Sequence, residues 1–196
     1  MKRPFDGSLR VRSHHEHVRP TWRHNVPVPS RRLFVLRHAK TAAATPGPRD
    51  HDRPLAPRGR RALPVAAAEI DRHLDAPLDL VLASTALRVR ETLAGVLPLI
   101  ADPVAVRYER ALYLAGLDDL FATVRSVPAE VDTLLLCGHN PGLHQLALSL
   151  VGDATPEALR DNLPTAGLVV IDLDAEWPSV GEGDGRLVAF SVPPHG

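Results

Sequence analysis

Short apolar runs alternate with longer amphipathic segments from residue 33 towards the end of the chain. Continuous apolar runs are typical of strands buried on both faces, and they fall at residues 33–36, 80–82, 104–106 and 133–137. Two closing strands are predicted at 167–173 and 186–192. Such strands belong to mainly parallel sheets with helices on both faces. The pattern therefore predicts an α/β fold, a three-layer α/β/α sandwich with a mainly parallel sheet.

Four segments between these strands carry apolar side chains at helical spacing. Pro64 is expected to limit or kink the first turn of the first helix. Ser84 and Asn140 are predicted N-caps of the second and fourth helices, and Pro141 suits a first helical position. The third helix is predicted over residues 118–127. The apolar stripes are Leu63, Ala67, Ile70 and Leu74; Val89, Leu93, Val96 and Ile100; Leu120, Val124 and Val127; and Leu143, Leu146, Ala147 and Leu150.

The first 30 residues differ in composition from the rest of the chain. They are rich in Arg, His and Pro and show no hydrophobic period, so burial cannot offset the entropy of ordering them. We predict a disordered basic leader over 1–30 and one globular domain over 31–196. A basic arm for nucleic acid or acidic partners, a His-rich metal tract and a start codon placed too far upstream are alternatives. Aromatic residues are sparse there, so nucleic acid is not an expected partner.

Composition narrows the class of protein. The chain has 196 residues, is 44% hydrophobic and has a single cysteine, Cys137, which excludes an intramolecular disulfide framework. Acidic and basic residues balance at 23 each, but residues 1–32 hold eight bases and two acids, so the remainder is acidic. No apolar run approaches the roughly 18 residues of a membrane span, and residues 1–30 lack the apolar middle of a secretory signal. These features predict a cytoplasmic protein without a membrane partner.

Polar side chains follow the predicted strands at the edge where ligands bind in open α/β sheets. Arg37 and His38 follow the first strand, Glu109 the third and His139 the fourth. Arg88 lies in the first turn of the second helix, where a side chain leans back towards the strand ends. The helix after His139 would also present N–H groups that suit an anion. We therefore expect these side chains to meet around one ligand.

The residue types at this edge are those that bind and transfer phosphate. The planar guanidinium of arginine donates two parallel hydrogen bonds to phosphate oxygens. A histidine is nucleophilic when one ring nitrogen is unprotonated and the other is held by a hydrogen bond, and neighbouring cations keep its pKa low. We predict a phosphohydrolase that attacks phosphorus through His38 in a pocket formed by Arg37, Arg88 and His139. A protonated His139 would stabilise charge on the transferring group.

Four stretches carry a recognisable pattern: Leu36-Arg37-His38-Ala39-Lys40-Thr41, Arg53-Pro54-Leu55-x-x-Arg58-Gly59, Ser84-x-x-Leu87-Arg88-x-x-x-Thr92 and Gly138-His139-Asn140-Pro141-Gly142. In this order they resemble the histidine phosphatase superfamily, and its SixA-like phosphohistidine phosphatases in particular. The resemblance spans about residues 33–192. The Arg-His-Gly signature of the wider family is Arg-His-Ala in this chain, a change common in SixA-like sequences.

The resemblance implies a phosphoglycerate mutase-like fold and a phosphatase that needs no metal or other cofactor. It implies that His38 is transiently phosphorylated, that Arg37, Arg88 and His139 bind the phosphoryl group, and that water releases phosphate. It also implies a substrate, either a phosphorylated protein carrying phosphohistidine, such as one of the histidine-phosphotransfer type, or a small phosphoester.

Several roles stay open at this stage. Glu109 lies where related phosphomonoesterases and mutases carry their general acid, but SixA-like proteins can lack one because an imidazole leaving group can arrive protonated. Arg53 either contacts substrate or pairs with Asp50 or Asp52. Thr41 either orients a phosphate oxygen or caps a loop.

Other functions also stay open. A catalytically weak phosphoprotein-binding module, a sugar-phosphate mutase and a metal hydrolase built on His38, Asp52 and His139 are the alternatives to the phosphatase. Substrate specificity is expected in residues 42–56 and 107–117. Lys40 is interpreted as a rim charge, and four histidines are predicted to face solvent: His51, His73, His144 and His195.

Overall fold

The computed structural model describes residues 31–43, 49–100 and 104–194, and it confirms the α/β sandwich. The predicted leader over 1–30 lies outside the described residues, as does His195. Within the described part of the chain, no helix is long and apolar enough to cross a membrane. One sheet contains β1 (Arg31–Arg37), β2 (Leu80–Ser84), β3 (Ala105–Glu109), β4 (Thr133–Gly138), β5 (Leu168–Leu173) and β6 (Gly185–Ser191).

The order of the strands places β1 between β4 and β5, in the middle of the sheet. The sheet runs β3-β2-β4-β1-β5-β6, and the first four strands in this order are mutually parallel. β5 is antiparallel to β1 and β6 is antiparallel to β5. Arg37 therefore pairs with Gly138 at the end of β4, and the N–H of His38 donates to the carbonyl of Gly138 at 3.1 Å. The residues after β1 and β4 thus leave the sheet side by side.

Helices cover both faces of the sheet because successive strand side chains point to opposite sides. Leu33 and Val35 of β1 belong to the core on one face, which α3 and α4 complete. Phe34 and Leu36 belong to the core on the other face, with α1 and α2. The helices are α1 (Pro57–Arg72), α2 (Leu87–Val96), α3 (Leu117–Arg125), α4 (Gly142–Val151) and the short α5 (Glu157–Asp161), which the sequence did not predict.

Four helix predictions need correction. Leu74 and Val127 lie just beyond α1 and α3, which end at Arg72 and Arg125. Pro64 lies in the interior of α1 and not in its first turn, because the helix already begins at Pro57. α2 ends at Val96 and passes into a 3₁₀ turn that contains Pro98, so Ile100 lies outside the helix. A proline cannot donate the backbone hydrogen bond that would continue the α-helix. Ile100 still packs against the core.

The predicted N-caps are also wrong, because the side chains of Ser84 and Asn140 form hydrogen bonds elsewhere. Ser84 remains in β2, Ala86 precedes α2, and the Oγ of Ser84 lies 2.8 Å from the ring of His139. α4 begins at Gly142, and the amide of Asn140 donates instead to the carbonyl of Leu163 at 2.9 Å.

Two motif glycines permit close packing beside the strand ends. A Cβ at Gly59 would overlap the carbonyl oxygen of Lys40, and one at Gly142 would overlap the carbonyl oxygen of Ala115. The carbonyl of Lys40 also accepts a hydrogen bond from the N–H of Ala56 at 2.9 Å. The start of α1 is therefore packed directly on the loop that follows His38.

Gly59→Ala tests this contact. We expect the free energy of unfolding to fall by about 1–3 kcal/mol, because the added methyl group has to displace backbone atoms in a packed region. This loss would outweigh the roughly 1 kcal/mol by which alanine favours a helix interior over glycine. Urea unfolding followed by circular dichroism measures the change.

Gly181→Ala is the matched control, since a Cβ there meets other atoms only at ordinary contact distances, from 3.5 Å outwards. Its free energy of unfolding should change by less than about 0.5 kcal/mol. Equal free energies of unfolding for Gly59→Ala and wild type would show that the loop after His38 can shift to make room for the methyl group.

Candidate active site

A cavity of about 310 Å³ opens at the carboxyl edge of the parallel strands. It collects side chains from the ends of β1 and β4, from the start of α2 and from the loops before α1 and α3. Its lining residues are Arg37, His38, Lys40, Thr41, Asp50, Arg53, Arg88, Leu114, His139, Asn140 and Thr165. The lining is dominated by cationic and imidazole groups, which suits an anionic ligand.

His38 is held in the geometry that a nitrogen nucleophile needs. Its Nδ1 lies 2.8 Å from the carbonyl oxygen of Ala39. A carbonyl oxygen can only accept, so Nδ1 carries the hydrogen and Nε2 keeps its lone pair. The N–H of Ala39 donates to the Oγ1 of Thr92 at 3.0 Å, and this hydroxyl donates to the carbonyl of Arg88. The motif threonine thereby ties the loop after β1 to α2.

The surroundings of His38 keep its ring neutral. Only 8% of the residue is exposed, and burial lowers the pKa of His38 to about 4, helped by the positive charges of Arg88, Arg37 and Arg53. The hydrogen bond to Ala39 acts in the opposite direction but is outweighed. At neutral pH the imidazole is therefore unprotonated, which is the form that can attack phosphorus.

His139 faces His38, with the ring centroids 5.2 Å apart. Its Nε2 lies 2.8 Å from the Oγ of Ser84, and that oxygen accepts from the N–H of Ala86 at 3.3 Å. The hydroxyl of Ser84 can either donate to Nε2 or accept from it, so both tautomers of His139 are compatible with this contact. The Nδ1 of His139 is buried and has no hydrogen-bond partner among the described residues. When this nitrogen carries a hydrogen, it is an unpartnered buried donor of the kind that suits a phosphoryl oxygen.

The ring of His139 is also neutral in the unliganded site. Burial lowers the pKa of His139 to about 3, and the charge of Arg88 and the neighbouring His38 lower it further, while Asp50 opposes the shift. A bound phosphoryl group would add negative charge beside this ring and raise its pKa. At neutral pH, a bound anion would therefore favour protonation of His139.

The half-buried Arg37 and the buried Arg88 supply guanidinium groups to the cavity from β1 and α2. Arg37 donates to the carbonyl of Leu163 at 2.7 Å, and its Nε is buried without a partner among the described residues. Arg88 is 4% exposed and donates to the backbone carbonyl of Asp50 at 2.6 Å and to its carboxylate at 3.0 Å. Each guanidinium has five N–H donors, so both keep donors free for a ligand.

Asp50 connects the cations at the mouth of the cavity. Its carboxylate accepts hydrogen bonds from Tyr113 at 2.8 Å, from Arg53 at 2.8 Å and from Arg88 at 3.0 Å. These contacts, with that of Tyr113 the largest, hold the pKa of Asp50 well below its usual range. The carboxyl group is consequently ionised at neutral pH. Arg53 also donates to the Oγ1 of Thr41 at 2.8 Å, so Thr41 orients Arg53 in the unliganded site.

The structure brings most of the predicted site residues together. Among the lining residues are Arg37, His38, Thr41, Arg53, Arg88 and His139. Glu109 does not line the cavity, because it is the last residue of β3 at the edge of the sheet, and β2 and β4 lie between β3 and β1. Its carboxylate instead accepts from Arg107 at 2.8 Å. Asp52 is exposed, forms a hydrogen bond with His51 at 3.0 Å and does not line the cavity.

Several site residues were not identified from the sequence. Asp50 was considered only as a partner of Arg53, and Tyr113 and Leu114 were not considered. Their only sequence signal is their position inside the two loops expected to carry specificity. Asn140 was interpreted as a cap. Among the histidines predicted to face solvent, three are half-buried: His51, His73 and His144. The ring of His51 is hydrogen-bonded to Thr85 at 2.9 Å, and that of His144 to the carbonyl of Leu159 at 2.6 Å.

Known proteins are similar to this chain over most of its length, although no family model matches it. Rv1276c of Mycobacterium tuberculosis, an uncharacterised protein, is 37% identical over 163 residues, which cover 81% of this chain and 99% of the relative. A solved structure from Nakamurella multipartitia, assigned as phosphohistidine phosphatase SixA, is 32% identical with a TM-score of 0.72, covering 84% of this chain and 96% of its own. One from Agrobacterium tumefaciens with the same assignment is 30% identical, with a TM-score of 0.72, and covers 84% and 99%.

The six-stranded sheet and the similarity to these structures define a phosphatase with a phosphoglycerate mutase-like fold. The chain belongs to the histidine phosphatase superfamily, in its SixA-like branch. The family, the fold and the class of enzyme implied by the sequence motifs are thereby confirmed, and the substrate is a phosphorylated compound.

Arg88→Gln tests the electrostatics of the site. Burial and the charge of Arg88 both disfavour the imidazolium forms, so removing this charge should raise the pKa values of His38 and His139. Titration of ¹⁵N-labelled imidazole rings by NMR measures both values. Arg88→Lys keeps the charge and should leave both pKa values low.

Arg90→Gln is the matched control on the same helix, since Arg90 is exposed and does not line the cavity. It should leave both histidines unchanged. If His38 titrates identically in wild type and Arg88→Gln, burial alone sets its pKa.

Proposed function

We propose that this chain is a cytoplasmic phosphatase that hydrolyses the P–N bond of phosphohistidine in a phosphorylated protein, through a covalent phosphoryl intermediate on Nε2 of His38. In this proposal Arg37, Arg88 and His139 bind the transferring phosphoryl group. Arg53 and Thr41 support the rim of the same pocket.

This proposal rests on the absence of a protonated carboxyl group among the described residues that line the cavity. Asp50 is the one carboxyl group among the described lining residues, and its contacts with Tyr113, Arg53 and Arg88 keep it ionised. Glu109 is held by Arg107 outside the cavity. An ionised carboxylate cannot donate a proton to a leaving group. The described site is therefore better suited to a substrate whose leaving group brings its own proton.

Phosphohistidine is such a substrate. Imidazole has an ordinary pKa of about 6.5, so the ring nitrogen that does not carry phosphorus can be protonated near neutral pH. When the P–N bond breaks, this ring leaves as neutral imidazole and needs no external acid. The alkoxide that leaves an alkyl phosphate has to be protonated during the reaction, which requires a positioned acid.

The first step transfers phosphorus between two chemically similar rings. The lone pair on Nε2 of His38 forms the new P–N bond while the bond to the substrate imidazole breaks and its electron pair stays on the departing nitrogen. The hydrogen on Nδ1 of His38 stays bonded to the carbonyl of Ala39. The guanidinium groups of Arg37 and Arg88 bind the oxygens that carry the charge of the transferring group.

Water completes the reaction. Its oxygen attacks phosphorus, the P–N bond to His38 breaks, and the ring recovers its lone pair on Nε2 while both water protons leave with the phosphate product. The chain then returns to its starting state without a net gain or loss of protons. The two SixA-assigned structures, at 32% and 30% identity, support this assignment of substrate.

His38→Ala tests the nucleophile. We expect turnover of a phosphohistidine peptide to fall by at least about 10⁴-fold, because a covalent route is lost when its nucleophile is removed. Rapid-quench trapping with ³²P-labelled peptide should place an acid-labile label on His38 of the wild type. His144→Ala is the control, since that ring bonds Leu159 away from the cavity. Wild-type turnover by His38→Ala would disprove the mechanism.

Two matched peptides test the choice of bond. The same sequence carrying phosphohistidine or phosphoserine should be hydrolysed with a kcat/KM at least about 10²-fold higher for phosphohistidine, the usual contribution of a general acid. Glu109→Gln should leave phosphohistidine hydrolysis within about twofold. Comparable rates on both peptides, with a large loss on phosphoserine in Glu109→Gln, would assign Glu109 as the acid of a phosphomonoesterase.

A further inference from the structure

A second cavity adjoins the active site and is here called the basic cavity. Its volume is about 270 Å³. Lys40 and Thr165 line both this cavity and the active-site cavity, so the two are neighbours across a shared wall. The lining residues are Lys40, Arg58, Gly59, Arg61, Ala62, Val65, Thr165, Pro193 and Pro194.

Three cations line the basic cavity without a carboxylate to balance them. Lys40, Arg58 and Arg61 form no salt bridge with any other described residue, and no carboxyl group is among the lining residues. Other arginines of α1 are paired, Arg60 with Glu91 and Arg72 with Glu69. Like charges that converge on one cavity repel each other, and an anion placed between them relieves the repulsion.

The backbone that carries these cations is fixed in position relative to His38. The absence of a side chain at Gly59 lets α1 pack on the carbonyl of Lys40, which also accepts from the N–H of Ala56. Lys40 follows His38 by two residues, and the intervening Ala39 is anchored to Thr92. An anion in the basic cavity would therefore be held in a fixed relation to a phosphoryl group at His38.

The basic cavity also has apolar lining residues. Ala62, Val65, Pro193 and Pro194 are among them, and the side chain of Val65 is exposed in the unliganded protein. A carboxylate on an aliphatic stem, as in glutamate, combines a charge that suits the cations with methylene groups that suit these apolar residues. A free phosphate or a hydrophilic metabolite would make no use of the apolar residues.

We propose that the basic cavity binds a glutamate or aspartate side chain of the phosphorylated protein, beside the phosphohistidine, and so selects acidic protein surfaces as substrates. This inference rests on the proposed function and adds the chemistry of the partner. Lys40 lines both cavities, whereas Arg58 and Arg61 line only the basic cavity, so these two arginines determine specificity without taking part in the transfer of phosphorus.

Paired peptides test this proposal with the full chain. Both carry one phosphohistidine, flanked by glutamates in one peptide and by glutamines in the other. Wild type should show a lower KM for the glutamate peptide. The double variant Arg58→Gln/Arg61→Gln should raise that KM by about three- to tenfold, in line with two exposed ion pairs, with kcat within twofold. Its KM for the glutamine peptide should not change.

Two controls separate a local effect from a general one. Arg72→Gln removes a cation from the same helix outside the basic cavity and should leave the KM for the glutamate peptide unchanged. Phosphoramidate, which has no second anionic group, should be hydrolysed equally by wild type and the double variant. A parallel loss with phosphoramidate would overturn the proposal, since it would show damage to the active site.

The remaining outcomes distinguish this inference from the proposed function. If wild type hydrolyses both peptides with equal KM, the basic cavity does not bind carboxylate side chains of the substrate, and only this inference fails. If wild type hydrolyses phosphoramidate but neither peptide, protein phosphohistidine is not the substrate and both proposals fail.

Discussion

The ion pair between Arg88 and Asp50 is the interaction on which the site depends. A guanidinium as buried as that of Arg88 is costly unless it is paired and hydrogen-bonded, and Asp50 supplies both a backbone carbonyl and a carboxylate. The same carboxylate receives Arg53 and Tyr113. One acidic residue thereby joins the start of α2 to the loops before α1 and α3. Without Asp50, the positive charge of Arg88 would be buried and unpaired beside the sheet.

Even with this pair, positive charge is in excess around the cavity. Arg37, Lys40, Arg53 and Arg88 line it, while Asp50 is the one carboxylate among the described lining residues. Burial and this field keep His38 and His139 neutral, so the unliganded site avoids two further charges. A phosphoryl dianion removes the imbalance in a region of low dielectric, where such attraction is stronger than in water.

The sequence identified those parts of the site that follow from a strand end or a helix turn. His38 and His139 meet because β1 and β4 are adjacent and parallel, and Arg88 joins them by leaning back along α2. Strand order is not visible in an apolar pattern, so Glu109 could not be placed at the sheet edge in advance. Asp50 lies in a segment without hydrophobic period, where tertiary pairing and not local preference decides position.

In the proposed mechanism, the same arginines that keep the ring of His38 unprotonated also make its phosphorylated form reactive. Once phosphorus is attached to Nε2 while Nδ1 keeps its hydrogen, the ring carries a formal positive charge within the field of Arg37 and Arg88. That charge is disfavoured by the burial and the cations that lower the pKa of the free ring. Loss of the phosphoryl group to water restores the neutral imidazole and removes the repulsion. If the proposed intermediate forms, these cationic surroundings favour its hydrolysis over storage of the phosphoryl group on His38.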